Sequence, residues 1–132
     1  MFTSQINLSD NQLCGLNWKG EGTYTVEGIA AIADALKVTA SVTKILVSMN
    51  RLGDMGATIL CNALRESKVT KVQELELCFN RISPQGAKAV AAMAAVVGSI
   101  TSLSLGDNDL GEEGKALVRK AIEGRSGFEL KL

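Results

Sequence analysis

Lys44–Leu64, KILVSMNRLGDMGATILCNAL, decides how this chain reads, because it returns three more times with its spacing kept. Its fixed point is an asparagine: Asn11, Asn50, Asn80 and Asn108. Five and three residues before each stands an apolar pair: Ile6/Leu8, Ile45/Val47, Leu75/Leu77 and Leu103/Leu105. Two residues after each comes Leu13, Leu52, Ile82 or Leu110, six after a glycine (Gly56, Gly86, Gly114), and ten after Leu60, Val90 or Val118. The first copy obeys the rule once an eleven-residue insert, Cys14–Tyr24, is removed, which brings Gly28 and Ile32 into the last two places. The asparagines lie 39, 30 and 28 residues apart, and 39 less the 11 inserted residues is 28. A period of this length marks stacked units, each burying its apolar face against the next.

Within one unit the pattern changes from a period of two to a helical one. Residues two apart share a face of a strand, so each apolar pair points one way and the residue between them the other. The helices are expected at Thr25–Leu36, Asp54–Glu66, Pro84–Val97 and Glu112–Glu123. Thr25 and Ser83 suit the N-cap, and Pro84 suits the first helical position. Each helix returns the chain by one strand width, so the strands run parallel through a right-handed crossover. The asparagine sits where the chain leaves the strand. Its amide carries both donor and acceptor, and can pair backbone groups of its own turn and the next. The glycine six residues on allows helix and strand to approach closely. This gives one domain over 1–132, with repeats at 1–41 (insert 14–24), 42–71, 72–99 and 100–127, and a closing strand at 128–132. Met1–Leu13 forms the first strand and turn, with Thr3 facing inward. No polar cap precedes that strand, so it has a free edge; a chain cut from a longer array is preferred to an edge covered by a partner.

Composition narrows the functions. Fourteen basic and fourteen acidic residues cancel, so nothing electrostatic points to nucleic acid or an anionic membrane. The longest uninterrupted apolar run, Ala89–Val97, has nine residues, against roughly 20 for a membrane span. The start of the chain lacks the charged and apolar regions of a signal peptide. Three cysteines and no histidine fit neither a disulfide framework nor the usual zinc sets. The chain therefore reads as soluble and cytoplasmic with reduced thiols, holding no metal and no cofactor.

The pattern LxLxxNxL followed by xxxG and an apolar helix, at 28 to 30 residues, resembles the leucine-rich repeat family, and the repeat length resembles its ribonuclease-inhibitor-like subclass. The resemblance covers the chain outside Cys14–Tyr24. It implies an α/β solenoid, a right-handed horseshoe with a parallel sheet on the concave side and helices outside. It also implies a non-catalytic module that binds a protein partner. The alternatives are a regulator of an enzyme, such as a GTPase activator, or a structural cap of a longer array. Association is expected to be monomeric or through a sheet edge.

The concave face carries Gln5, Asn7, Ser9, Lys44, Leu46, Ser48, Glu74, Glu76, Cys78, Ser102, Ser104 and Gly106, with Asp107 nearby. Leu46, Met49, Cys78 and Phe79 form an apolar spot among charged neighbours, as a binding centre with a polar rim requires; an ordinary solvated sheet face is the plainer account. The insert holds Trp18 and Tyr24, with Asn17 and Lys19 beside them. Two readings stand for Trp18: a hot spot beside the concave face, or a lid folded over the first repeat. Glu74 and Glu76 have no nucleophile or base to work with, so they are not read as catalytic. Gly20-Glu21-Gly22 is too short for a phosphate loop. Cys78 is read as structural rather than reactive.

Overall fold

The computed structural model describes residues 4–132, so the expectations for Met1 and Thr3 lie outside the described residues. The chain runs β1 (Ser4–Asn7), α1 (Glu27–Lys37), β2 (Val42–Leu46), α2 (Gly53–Glu66), β3 (Glu74–Glu76), α3 (Pro84–Val96), β4 (Ser102–Ser104), α4 (Gly111–Ala121) and β5 (Glu129–Lys131). The strands form one sheet in sequence order, every neighbouring pair parallel. Ile45, Leu75, Leu103 and Leu130 stand side by side in register. Strands repeat every ~4.8 Å, whereas packed helices need about 8–10 Å between axes. Sheet inside and helices outside is the curvature that relieves this mismatch.

The core is the repeated apolar set. Ile45, Val47, Leu52 and Leu60, then Leu75, Leu77, Ile82 and Val90, then Leu103, Leu105, Leu110 and Val118 are all buried. Each is worth about 1.5–3 kcal/mol when removed from water. In the first unit, Ile6, Leu8 and Leu13 are only partly covered and pack against this core from its edge. On α2, Ala57, Leu60, Cys61 and Leu64 are fully buried.

Three local readings need correction. α1 begins at Glu27 with Val26 in the flanking position, yet the Thr25 hydroxyl still accepts the Glu27 amide at 3.3 Å. Cys14, assigned above to the insert, is fully buried in the core; the exposed loop starts after it. At Gly86 and Gly114 the repeated glycine closes a gap between neighbouring helices, whereas Gly28 and Gly56 face the bend residues Leu13 and Leu52. A Cβ on Gly86 would lie 2.5 Å from Asp54 Oδ1, on the preceding helix. Asp54 in turn caps α3 from α2: its Oδ1 accepts the Ser83 and Gly86 amides at 2.7 and 3.1 Å, and its Oδ2 accepts the Ser83 hydroxyl at 2.5 Å. Ser83 itself accepts the Gln85 amide at 3.3 Å, and Pro84 follows as the first helical residue.

Candidate functional site

Each of the first four strands leads into a bend built around its asparagine. Asn80 Oδ1 accepts the amides of Asn50 and Leu52 in the preceding unit at 3.0 and 3.3 Å. Its Nδ2 donates to Val47 of that unit at 3.0 Å and to Cys78 at 3.2 Å. Asn108 repeats the pattern on Asn80 and Ile82, at 2.9 and 3.0 Å, and Asn50 repeats it on Asn11 and Leu13, at 3.1 and 3.5 Å. Asn50 and Asn80 are buried, while Asn11 is exposed.

Turning the asparagine inward throws its neighbours outward. The preceding residue, Asp10, Met49, Phe79 or Asp107, takes a left-handed backbone conformation in all four bends, with φ between 55° and 62°. Arg51 and Arg81, just after the asparagine, do the same at φ 51° and 56°. Aspartate tolerates this region; for methionine and phenylalanine it carries strain. Met49 is 51% and Phe79 52% exposed, both beyond the end of the sheet on the rim of the concave side.

The loop after Cys14 lies along the same rim. Its glycines suggest pliancy, but Asn17 organises it. Asn17 Oδ1 accepts the Lys19 and Glu21 amides, both at 2.9 Å, and its Nδ2 donates to Glu21 Oε1 at 3.1 Å. Leu16 and Gly22 pair as an antiparallel bridge. Arg51 Nη2 donates to the Trp18 carbonyl, and the Tyr24 hydroxyl donates to the Leu52 carbonyl. Both ties run forward to the second unit, and the Trp18 side chain is 77% exposed, so it does not fold over the first repeat as a lid. Lys19 Nζ sits 5.2 Å from the centre of the Trp18 ring. Burial raises the Tyr24 phenol above its ordinary value, with the Cys14 thiol adding to the shift.

Loop and bends enclose a groove of about 360 Å³. Trp18, Met49 and Phe79 form its apolar part, and Asp10, Arg51, Arg81, Asp107 and Asp109 supply charge. Of the expected site residues, Asn17, Trp18, Met49, Phe79 and Asp107 meet here. Lys44, Leu46, Glu74 and Glu76 lie instead on the sheet face, where Lys44 stands opposite Glu74 and Leu46 opposite Glu76. Lys44 Nζ is 2.7 Å from Glu74 Oε2, and that hydrogen bond raises the ammonium above its ordinary pKa. Cys78 is half-buried between sheet and groove, its amide bonded to Ser48 Oγ at 3.1 Å. Tyr24 and Lys19 do not line the groove. Sequence reasoning passed over Asp10, Arg51, Arg81 and Asp109. The available signal was their position, one residue before or after an inward-turned asparagine.

A parallel sheet with a helix following each of its first four strands, bound bend to bend by asparagines, defines a solenoid of leucine-rich coils. A family profile described as "Leucine Rich repeat" matches residues 70–91 and 99–114, and this match and the relatives below support the leucine-rich repeat family, in its ribonuclease-inhibitor-like subclass. It is similar to ribonuclease inhibitor of Sus scrofa, 29% identical over 130 residues, covering 85% of this chain and 28% of that protein. RAN GTPase-activating protein 2 of Arabidopsis thaliana is 36% identical over 72 residues, 54% of this chain and 13% of that protein. NACHT, LRR and PYD domains-containing protein 12 of Homo sapiens is 29% identical over 92 residues, 70% of this chain and 9% of that protein. The chain thus spans between 9% and 28% of the length of these curated relatives. Among solved structures, "Leiomodin-1 Actin-Binding Site 2 (ABS2)" superposes with a TM-score of 0.76 over 96% of this chain and 68% of that one. At 17% identity this is a likeness of fold alone. No helix among the described residues is long and apolar enough to cross a membrane.

Proposed function

We propose that residues 1–132 act as one non-catalytic interaction domain of four repeats, holding a protein partner across the concave sheet face and the loop rim. The observation that carries this is the groove that unites Trp18 with Met49 and Phe79. These are large apolar side chains left in water within a charged surround. Single exposed apolar residues are ordinary, but a cluster with a polar rim is what a partner covers. Keeping Met49 and Phe79 in a strained conformation supports the same reading, since such strain concentrates where side chains are needed for function. Lys44, Leu46, Glu74, Glu76 and Cys78 extend the surface down the sheet. Three free thiols, two of them buried, support a reducing, cytoplasmic setting.

The test is quantitative affinity capture with the wild-type chain beside Trp18→Ala and Glu76→Lys. Both substitutions lie outside the core, so folding is expected to be unchanged. Each should reduce a specific partner; retention of every partner by both variants would exclude this surface.

A second reading, regulation of an enzyme, has one observation in its favour: the likeness to RAN GTPase-activating protein 2 at 36% identity. Arg81, exposed on the rim, is the residue placed to reach into another protein's site. Single-turnover GTP hydrolysis by a loaded GTPase, with and without this chain and its Arg81→Ala variant, separates the two readings. Acceleration that depends on Arg81 would favour the second.

A further inference from the structure

We infer that the segment seated in the rim groove is an extended peptide with two adjacent apolar residues flanked on both sides by lysine or arginine. This deepens the reading just given and rests on it.

The same place in successive bends is filled by Asp10, Met49, Phe79 and Asp107, so the row reads acid, apolar, apolar, acid across the strands. Asp109 adds a second carboxylate at the Asp107 end of the groove. Neighbouring strands are ~4.8 Å apart, so three steps from Asp10 to Asp107 span roughly 14 Å. The first and fourth residues of an extended chain lie about 10 Å apart at ~3.3 Å per step, and flexible lysine or arginine side chains span the remaining few ångströms. A peptide crossing the strands can therefore hold its apolar pair at Met49 and Phe79 while its flanking cations reach the outer carboxylates.

Charge availability fixes the sign of the flanks. Among the described residues, Asp10, Asp107 and Asp109 are in no ion pair; the two found are Lys37–Glu66 and Lys44–Glu74. Of the groove's two cations, Arg51 is committed to the loop. One of its guanidinium nitrogens bonds to the Trp18 carbonyl, and the other is buried without a partner. A Cβ on Gly20 would lie 3.4 Å from that second nitrogen, which places it under the loop rather than open to a ligand. Three carboxylates against two guanidiniums leave the groove net negative, and only that of Arg81 is free to meet a ligand, so the balance favours a cationic occupant. The Trp18 ring already stacks with the Lys19 ammonium, showing an aromatic face suited to a basic side chain.

The test uses capped hexapeptides: Gly-Lys-Leu-Phe-Lys-Gly, the same with glutamate in place of lysine, and the same with serine in place of leucine and phenylalanine. Binding is followed by backbone and indole NMR shifts. The first peptide should shift Trp18, Met49, Phe79 and Asp107 and bind at least ~10-fold tighter than the other two, more weakly as salt rises. Asp107→Asn with Asp109→Asn keeps at position 107 a residue that tolerates the left-handed bend and should weaken binding about fivefold. Equal or tighter binding of the glutamate peptide, or no shift at Trp18 and Phe79 with millimolar lysine peptide, overturns the inference. If capture depends on Trp18 and Glu76 while the peptides show no charge preference, the interaction role stands and this inference alone falls. If the lysine peptide binds but neither variant alters capture, the groove assignment stands and the broader role falls.

Discussion

Asn80 Oδ1 lies 3.0 Å from the backbone nitrogen of Asn50, one coil away, and both residues are buried. A side chain of one unit thereby completes the backbone pairing of the unit before it. Asn80→Ala would leave the Asn50 and Leu52 amides without an acceptor in a dry interior. At about 1–3 kcal/mol for each stranded group, the expected loss is roughly 3 kcal/mol in urea unfolding followed by circular dichroism. Among the described residues, the Asn11 side chain bonds only the Leu8 and Ser9 carbonyls of its own unit, at 2.9 and 3.2 Å, and the residue is exposed. Asn11→Ala should cost about 0.5 kcal/mol. Equal losses would contradict the inter-coil pairing.

Gly86, inside α3, and Gly98, just past its end, separate close packing from the backbone entropy of glycine. Replacing a glycine by alanine where the backbone accepts it ordinarily stabilises by about 0.4–1 kcal/mol. At Gly86 the new Cβ would meet Asp54 Oδ1 at 2.5 Å and Ile82 Cγ2 at 2.7 Å. Gly86→Ala should therefore lower the melting temperature, while Gly98→Ala, with nothing within 4 Å, should leave it unchanged or slightly higher.

Burial in α2 pushes the Cys61 thiol up from 9.0 to about 12. Cys14 and Tyr24 are displaced in the same direction, in each case mainly by burial. The folded chain holds these protons more tightly than the unfolded chain does. Their contribution to stability is thus fully present below pH 9.0 and falls as pH rises from there toward about 12. Urea midpoints measured across that range should decline, and less steeply in Cys61→Ala. In native protein at neutral pH a thiol reagent should label Cys78 well ahead of Cys14 and Cys61.

Arg125 fastens the last turn to the coil before it. Nη1 donates to the Ala94 carbonyl at 2.5 Å, Nη2 donates to the Ile100 carbonyl at 2.6 Å, and the guanidinium lies 5.1 Å from the centre of the Phe128 ring. These carbonyls include orphans of the α3 C-terminus. Arg125→Ala should cost about 2 kcal/mol and, in hydrogen exchange, release β5 and the end of α3 before the middle of the sheet.

Met49 and Phe79 invite the opposite experiment. Asparagine occupies the left-handed region at much lower cost, so Met49→Asn or Phe79→Asn should stabilise the fold by up to about 1 kcal/mol. The same changes should weaken binding in the groove. A variant that gains stability and keeps full binding would show that these side chains are not used.

The repeated spacing made the sheet, its parallel order and the buried rows legible, because an alternation locked to a fixed asparagine leaves one face for the core. Helix ends were off by one or two residues, where Gly53 and Gly111 open helices without a side-chain cap. The site was only half legible. Trp18 and Phe79 announce themselves by size, but Arg51 and Arg81 are in the groove because of a backbone conformation that the spacing alone does not encode. Cys14 was misplaced because the numerical insert begins one residue before the chain leaves the core.

The loop's base has a practical consequence. The Thr25 amide bonds the Cys14 carbonyl at 3.0 Å, so the ten intervening residues leave and return at nearly one point. The Gly28 and Ile32 positions keep their places in the period as though nothing had been inserted. The segment is therefore an exchangeable cassette. Other sequences with closely spaced ends can be spliced at that junction to present new recognition chemistry, on a scaffold that need not be redesigned.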